Sequence, residues 1–355
     1  MTPSSYQPRK YDTYFGLDVD KSSFSLTVTD HFRTKISKKM PSNPEHLYNY
    51  IKKNFNPKKV VCAYEAGPTG YHLFDYLNKN DIKCLITSPA SIPKASNERV
   101  KNNRLDSIKI TDYLMSGNFK PIRVPQGDYR ELRDLVKIRE NYAYDRKVAR
   151  QRIKALLLFA NIFPNLKDTD SQWSRNHIKE LRKLECPFST RQRLDMLLED
   201  LEYARNKLLA THRMLRSFCR EHPEINQYMH YLRSIPGIGF VVAINILGKI
   251  GDPKELENPR ELAGFIGLSP REKSTGDSVN RGSITHLGDK TLRFMLIEAS
   301  WAAIGKDTQL AQFYNRIRSK NNPRYASRIA ITAVARKLTQ IVYRVLKDKR
   351  EYIQH

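Results

Sequence analysis

The sequence predicts an α/β domain followed by a largely helical remainder, on the basis of three observations. Short apolar runs of strand type occupy the chain from Tyr14 to about Ser88. The middle of the chain repeats apolar residues at alternating spacings of three and four, and the last part carries further helical patterns around a Pro-Gly-x-Gly turn. We therefore expect three domains, at residues 1–125, 126–230 and 231–355.

The N-terminal pattern predicts a mixed sheet with helices packed against it. Residues 24–28 alternate apolar and polar side chains, whereas residues 60–64 form a continuous apolar run. Helical patterns occur around Leu47 and around Leu73. This order, two strands followed by alternating helices and strands, is typical of an α/β domain.

The end of this domain contains one more strand and one more helix. Residues 85–86 are expected in a buried strand, and Asp106 is expected to begin a helix that runs to about Met115. Pro121 and Pro125 then indicate a linker.

The middle domain is expected to be helical, with one long apolar stripe. A first amphipathic stretch begins at Leu132. A second has the a/d spacing of a coiled coil, which comprises Leu194, Leu197, Leu201, Ala204, Leu208, Thr211, Leu215 and Phe218. Two such helices form either an antiparallel hairpin within the chain or a pairing between subunits, and the pattern leaves both open.

The C-terminal domain is expected to be helical around a helix-hairpin-helix-like turn. In the segment 235–243, glycines between two helical patterns would let backbone amides at a helix N-terminus approach a phosphate. The same glycines would also serve a tight helical corner. A polar loop is predicted at residues 274–278, followed by a helix over residues 292–303 and by basic C-terminal helices.

Charge is the strongest compositional signal. The 355 residues include 62 Lys plus Arg against 37 Asp plus Glu, a formal charge of +25. An excess of this size indicates a polyanionic partner, because neutralising phosphates releases counterions. No apolar run approaches the roughly 18 to 20 residues of a membrane span, and the four cysteines form no CxxC pair. We expect a cytoplasmic protein without disulfides or a zinc site.

Four positions in the first third of the chain have the arrangement of a two-metal carboxylate site. In an RNase H-like domain the first carboxylate lies in the opening hairpin, the second at the end of a later strand and the last ones on a helix. Asp18, Glu65 and Asp106 fall on such elements, and Asn103 precedes Asp106 by three residues, on the same helical face. Mg²⁺ prefers oxygen ligands. We therefore expect Asp18, Glu65 and Asp106 to bind Mg²⁺, with Asn103 as a neutral ligand and Asp20 as a compensating acid.

These segments together resemble a known family. Residues 16–21, 64–70 and 99–106 and the block 235–292 are similar to the DEDD transposases of the Piv-invertase family, typified by insertion sequence 110. The resemblance implies a RuvC-like N-terminal domain, a coiled-coil middle and a C-terminal transposase domain with an active serine. It further implies recombination of donor and target double-stranded DNA, guided by a noncoding bridge RNA. Because one chain offers one serine and two duplexes need four strand exchanges, we expect a homodimer or tetramer.

The resemblance also implies which residues act. The family's serine follows its Gly-Leu-x-Pro element in a Ser-Thr-Gly stretch, which here makes Ser274 the expected nucleophile, with Thr275 and Ser278 as lesser candidates. A serine hydroxyl needs a base or a metal to take its proton. We expect the metal carboxylates to act with it in one composite site.

Asn103 stands where the family pattern has its third acid, and this departure leaves two other functions open. One is a catalytically weakened or silent RNA-guided DNA-binding protein, which keeps the basic surface but has lost the chemistry. The other is a RuvC-like nuclease that uses metals alone.

Overall fold

A computed structural model describes residues 6–30, 35–92, 103–162, 173–275, 278–285 and 287–354. The chain divides into two compact units, Met1–Val124 and Pro125–His355. Among the described residues, no helix is both long and apolar enough to cross a membrane.

The first unit is built on a mixed sheet, as the sequence predicts. Its elements are β1 (Thr13–Val19), β2 (Ser23–Asp30), β3 (Lys35–Pro41), α1 (Pro44–Asn54), β4 (Val60–Glu65), α2 (His72–Lys79), β5 (Lys83–Thr87) and α3 (Asn103–Met115). The five strands lie in the order β3-β2-β1-β4-β5. The pairs β1–β2 and β2–β3 are antiparallel, whereas β1–β4 and β4–β5 are parallel.

Helices cover both faces of this sheet. Successive side chains of a strand point to opposite faces, so Phe15 and Leu17 pack with Leu47 of α1 and Leu77 of α2 on one face. On the other face, a second core is formed by Tyr14, Val61, Ala63, Leu85, Ile110 and Leu114. The helix on that second face is α3.

The structure of this unit differs from the prediction in three places. The edge strand β3 was not predicted because most of its residues are exposed and polar, so the strand lacks an apolar period. The expected linker at Pro121 is instead attached to the sheet, since Pro121 bridges Thr87 and the Ile122 amide donates to the Ile86 carbonyl at 2.7 Å. The helix expected from Asp106 begins at Asn103.

The second unit is mainly helical, with one hairpin of strands. Its elements are α4 (Gly127–Phe159), α5 (Arg175–Lys183), α6 (Phe188–Glu221), α7 (Pro223–Arg233), α8 (Phe240–Ile250), α9 (Pro259–Ile266), β6 (Pro270–Thr275), β7 (Ser278–Ile284), α10 (Lys290–Ile304), α11 (Thr308–Ser319) and α12 (Pro323–Asp348). The division into three domains stays a prediction.

The apolar stripe of α6 is buried within the chain. Near the start of α4, Arg139 contacts His212 near the end of α6, whereas Ile153 near the end of α4 packs in one cluster with Leu198 near the start of α6. The two helices therefore form an antiparallel hairpin, the first of the two arrangements open to the sequence. The predicted stripe includes Leu197, but the structure buries its neighbour Leu198 and leaves Leu197 only partly buried.

The Pro-Gly-x-Gly turn between α7 and α8 is a tight corner. Gly237 has φ +83°, and a Cβ at this position would lie 3.0 Å from the Ala303 amide nitrogen of α10. Glycine is required here because the backbone conformation is left-handed and α10 lies directly against it.

The prediction of a polar loop over residues 274–278 is wrong at both ends of that segment. Ser274 and Thr275 belong to β6 and Ser278 belongs to β7, where Ser274 pairs with Val279 and Thr275 with Ser278. Residues 276–277 lie outside the described residues. Both strands are largely polar, so the alternation that reveals a strand in a sequence was missing.

Candidate functional site

Asp18 and Glu65 stand at the same level on neighbouring strands. The parallel register of β1 with β4 pairs Gly16 with Ala63 and Leu17 with Tyr64, so Asp18 and Glu65 are the next residues of this ladder. Both side chains are half-buried. The alternation of side chains puts Asp18 on the face of Gly16, and Glu65 on the face of Ala63. This is the face that α3 covers.

Gly16 lets α3 lie directly on β1. A Cβ at this position would be 2.5 Å from the Thr111 amide nitrogen and would also overlap the Ser107 carbonyl oxygen. Buried hydroxyls hold the helix in this place. The Ser107 hydroxyl is 2.8 Å from the Thr27 hydroxyl on β2, and the Thr111 hydroxyl donates to the Thr27 carbonyl at 3.1 Å.

The first turn of α3 carries the other two predicted residues. Asp106 immediately precedes the anchored Ser107, and its carboxylate is 3.3 Å from the Lys109 ammonium. Both side chains of this pair remain more than a quarter exposed, 29% and 27%, so the ion pair is weak and can be displaced. Asn103 is the first residue of α3, one turn before Ser107, and its side chain lies outside the described part.

The structure brings the expected metal ligands to one face of the sheet. It does not gather their side chains, because no group of three or more His, Cys, Asp or Glu among the described residues is arranged to hold a metal ion. Asp20 lies beyond the end of β1 and is exposed, and its carboxylate accepts from the Lys21 amide at 2.7 Å. The donor chemistry fits Mg²⁺, and the ligand assignment stays a prediction.

Ser274, the expected nucleophile, belongs to the second unit. It lies one residue before the end of β6, and its side chain and those of Thr275 and Ser278 are not described. The base of this β-hairpin is closed by a further backbone hydrogen bond, in which the Thr285 amide donates to the Ser269 carbonyl at 2.9 Å. The hairpin therefore presents Ser274 close to its tip.

A buried ionic network, which the sequence did not reveal, lies just beyond this hairpin. The Lys249 ammonium contacts Glu140 at 2.5 Å and Asp289 at 2.8 Å, and the Lys249 side chain is only 11% exposed. Asp289 also caps α10, since it accepts from the Leu292 amide at 2.8 Å. The network joins α4 and α8 to the start of α10. The sequence contains one signal for this network, which is the position of Asp289 just before a helical pattern, where a capping residue is expected.

The α4–α6 hairpin carries a cationic cluster that no described acid neutralises by an ion pair. It comprises Arg139, Arg146 and Arg150 of α4 with Arg205, His212 and Arg216 of α6. Burial and the neighbouring Arg146 lower the pKa of Arg139, and burial with Arg146 and Arg205 lowers that of Arg150. Such a set of like charges is a favourable place for an anion.

Comparison with known proteins agrees with these elements. A family model described as "Transposase" matches residues 15–164, and one described as "Transposase IS116/IS110/IS902 family" matches residues 229–315. The first match contains the sheet with its carboxylates, and the second contains the β6–β7 hairpin with Ser274.

Individual relatives are similar along most of their length. The pilin gene-inverting protein of Moraxella bovis is 25% identical, over 96% of this chain and 97% of its own. The transposase for insertion sequence element IS1533 of Leptospira borgpetersenii is also 25% identical, over 82% and 85%. The transposase for IS1111A of Coxiella burnetii is 22% identical, over 81% and 77%.

The fold and the matches define the class of this enzyme as a transposase or recombinase of an insertion sequence. The chain belongs to the IS110 family of DEDD transposases. The resemblance drawn from the motifs at Asp18, Glu65 and Asp106 is thereby confirmed.

Proposed function

We propose that this transposase joins donor and target double-stranded DNA under the guidance of a structured noncoding RNA. In this proposal, Mg²⁺ is held by Asp18, Glu65 and Asp106 of a RuvC-like domain, and Ser274 is the nucleophile. The observation that carries it is the shared face of Asp18 and Glu65, covered by the helix that begins with Asn103 and carries Asp106.

The carboxylates have one main task. Asp18, Glu65 and Asp106 would hold Mg²⁺, which would supply positive charge next to a scissile phosphate. Asp106 has to exchange its ion pair with Lys109 for the metal, and the partial exposure of that pair makes the exchange inexpensive. Asn103, one turn from Ser107, would add a neutral oxygen rather than a fourth charge.

Ser274 would form a covalent intermediate with DNA. Its oxygen attacks the phosphorus, the bond from phosphorus to the leaving sugar oxygen breaks, and a base takes the hydroxyl proton. The resulting phosphoserine ester preserves the energy of the broken bond for rejoining. The carboxylate site and Ser274 would thus act as one composite site.

RNA guidance is supported by charge and by membership of the family. The surplus of Lys and Arg, 62 against 37 acidic residues, suits a polyanionic partner such as RNA or DNA, and the choice of RNA as the guide rests on the family resemblance. Because the α6 stripe is buried against α4 of the same chain, the proposed dimer or tetramer has to use another surface.

The amide at Asn103 favours a second candidate, a silent RNA-guided DNA-binding protein. Three outcomes with the cognate DNA and RNA separate the functions. A protein–DNA adduct that survives denaturation supports the serine recombinase, free nicked ends support a metal-only nuclease, and binding with neither supports the silent protein.

The decisive experiment tests Asn103 and Ser274 together. Asn103→Asp restores an anionic ligand one turn from Ser107, so we expect it to raise the yield of recombined DNA and of covalent adduct in Mg²⁺. Ser274→Ala in that background should abolish both. Glu65→Ala should abolish recombination and weaken Mg²⁺ binding by calorimetry, whereas RNA binding persists.

A matched control lies on the same helix. Asp112→Ala removes a carboxylate of α3 that is 48% exposed and ion-paired with Lys35 at the surface, so it should leave recombination unchanged. Unchanged Mg²⁺ affinity in Glu65→Ala, or an adduct that persists in Ser274→Ala, would refute the assignment of that residue.

A further inference from the structure

A groove in the second unit lies between α4 and the first turns of α10. Its volume is about 840 Å³, and its walls come from residues 137–147 of α4 and residues 290–295 of α10. None of its lining residues belongs to the β6 strand that carries Ser274, and none is one of the proposed metal ligands Asp18, Glu65 and Asp106. The walls combine two kinds of side chain, aromatic and cationic.

Two aromatic rings line the groove and remain open to solvent. Tyr144 of α4 is 65% exposed and Phe294 of α10 is 63% exposed. Among the described residues, neither ring stacks on another aromatic ring. Exposure of a large apolar side chain costs hydration free energy, and a pair of such rings in one concave site indicates a partner with flat apolar faces.

The charge of the groove is positive. Four cationic side chains line it, Lys137, Arg139, Lys147 and Lys290, against the two acids Glu140 and Asp145. Glu140 is already paired with Lys249 at 2.5 Å, which leaves Asp145 as its one acid without a described ion pair. The groove therefore attracts anions, and its aromatic rings select anions that also carry rings.

Arg139 gives the groove a fixed cation. Its side chain is only 8% exposed, and its Nε donates to Nε2 of His212 at 3.0 Å. A guanidinium held in this way keeps its remaining donors directed and loses little entropy when it meets a phosphate.

We propose that this groove binds a single-stranded segment of nucleic acid, with unpaired bases stacked on Tyr144 and Phe294 and backbone phosphates on Arg139 and the lysines. Stacking platforms in a basic groove are the general means of holding unpaired nucleotides. A duplex does not fit this chemistry, because its base faces are already stacked on one another. The inference rests on the proposed function only in taking the partner to be a nucleic acid, and it requires neither Ser274 nor a metal.

The test measures oligonucleotide binding by the full chain in EDTA, which removes metal chemistry. Fluorescence anisotropy compares single-stranded RNA, single-stranded DNA and duplex DNA of about 15 nucleotides. Tyr144→Ala and Phe294→Ala should each weaken single-strand binding on the order of tenfold, with the salt dependence unchanged. Lys147→Gln and Lys290→Gln should each lower the slope of log affinity against log salt for single strands by about 0.7.

A matched control replaces an aromatic residue outside the groove. Tyr325 of α12 is 47% exposed, and Tyr325→Ala should bind single strands as the parent does. Thermal unfolding of each variant shows that the fold is retained. Tighter binding of RNA would assign the groove to the guide, and tighter binding of DNA to an opened duplex; either result supports the inference.

Two results would overturn the inference, and they differ in what they imply for the proposed function. If Tyr144→Ala and Phe294→Ala bind single strands as tightly as the parent does, the groove is not the binding site and the proposed function stands. If the parent binds no nucleic acid of any kind, both are wrong.

Discussion

Replacing Gly16 with alanine should separate α3 from the sheet and thereby test how the carboxylates are positioned. The new methyl group would sit 2.5 Å from the amide nitrogen of Thr111 and still closer to the carbonyl oxygen of Ser107. Both are backbone atoms of a helix, so neither can rotate away. The helix itself has to move, and Asp106 moves with it.

The magnitude follows from two opposing effects. Overpacking of this kind costs about 1–3 kcal/mol, whereas the change from glycine to alanine stabilises by about 0.4–1 kcal/mol through the unfolded chain. Because both overlapped atoms belong to the helix backbone, we expect the overpacking cost to lie at the upper end of its range, which gives a net loss of about 2 kcal/mol in the free energy of unfolding. In a unit of this size, each kcal/mol lowers the melting temperature by about 2–8 °C.

Two measurements on Gly16→Ala check this reasoning. Circular dichroism should show a lower melting temperature, and strand exchange in Mg²⁺ well below that temperature should still fall, because the displaced α3 carries Asp106 away from the sheet face that bears Asp18. The control is Gly67→Ala, in which the nearest atom to the new methyl is the Glu65 carbonyl oxygen at an ordinary 3.9 Å. An unchanged melting temperature would refute the packing of α3 on β1. A destabilised but fully active variant would refute the role of α3 in placing Asp106.

Three further perturbations test the second unit. Leu201→Glu places a carboxylate in the buried stripe of the α4–α6 hairpin and should lower the free energy of unfolding by several kcal/mol, which is measured as lost helicity. Leu209→Glu, at a 56% exposed position, should leave the helicity unchanged. Equal effects of the two substitutions would contradict the burial of the α6 stripe. Burial and the neighbouring arginines lower the pKa of His212, so below pH of about 6.5 the unfolded chain binds a proton that the folded chain resists. The free energy of unfolding should therefore fall on acidification, and it should fall less steeply in His212→Gln than in the parent. Parallel pH profiles of the two proteins would contradict this role of His212. Gly237→Ala should lower the free energy of unfolding, measured by chemical denaturation, by at least about 1 kcal/mol, because the backbone of Gly237 is left-handed and α10 lies against it. Gly239→Ala, with open space around its Cβ, serves as the control. Similar denaturation midpoints of the two variants would rule out a role of Gly237 in packing against α10.

Much of the fold is local and was therefore readable from the sequence. The alternation in β2 and the continuous apolar run in β4 predict buried strands, and the three-and-four spacing predicts α6 because each pattern follows directly from backbone geometry. Strands without such a pattern were not predicted. The exposed edge strand β3 and the polar β6–β7 hairpin owe their form to pairing with neighbours rather than to burial.

The identity of the candidate site residues came from the sequence, and their placement came from the tertiary structure. Motif order alone selected Asp18, Glu65 and Asp106 and the family to which the chain belongs. That Asp18 and Glu65 share a face depends on the register of two strands 47 positions apart in the chain, and the position of Asp106 above that face depends on the missing side chain of Gly16.

Other features were decided by the tertiary structure alone. The partner of the α6 stripe, the buried Lys249 between Glu140 and Asp289, and the groove that brings Tyr144 to Phe294 all join residues far apart in the sequence. The physical reason is the same in each case. A sequence pattern specifies which face of an element is apolar or charged, but the partner of that face is selected by packing and charge across the whole folded chain.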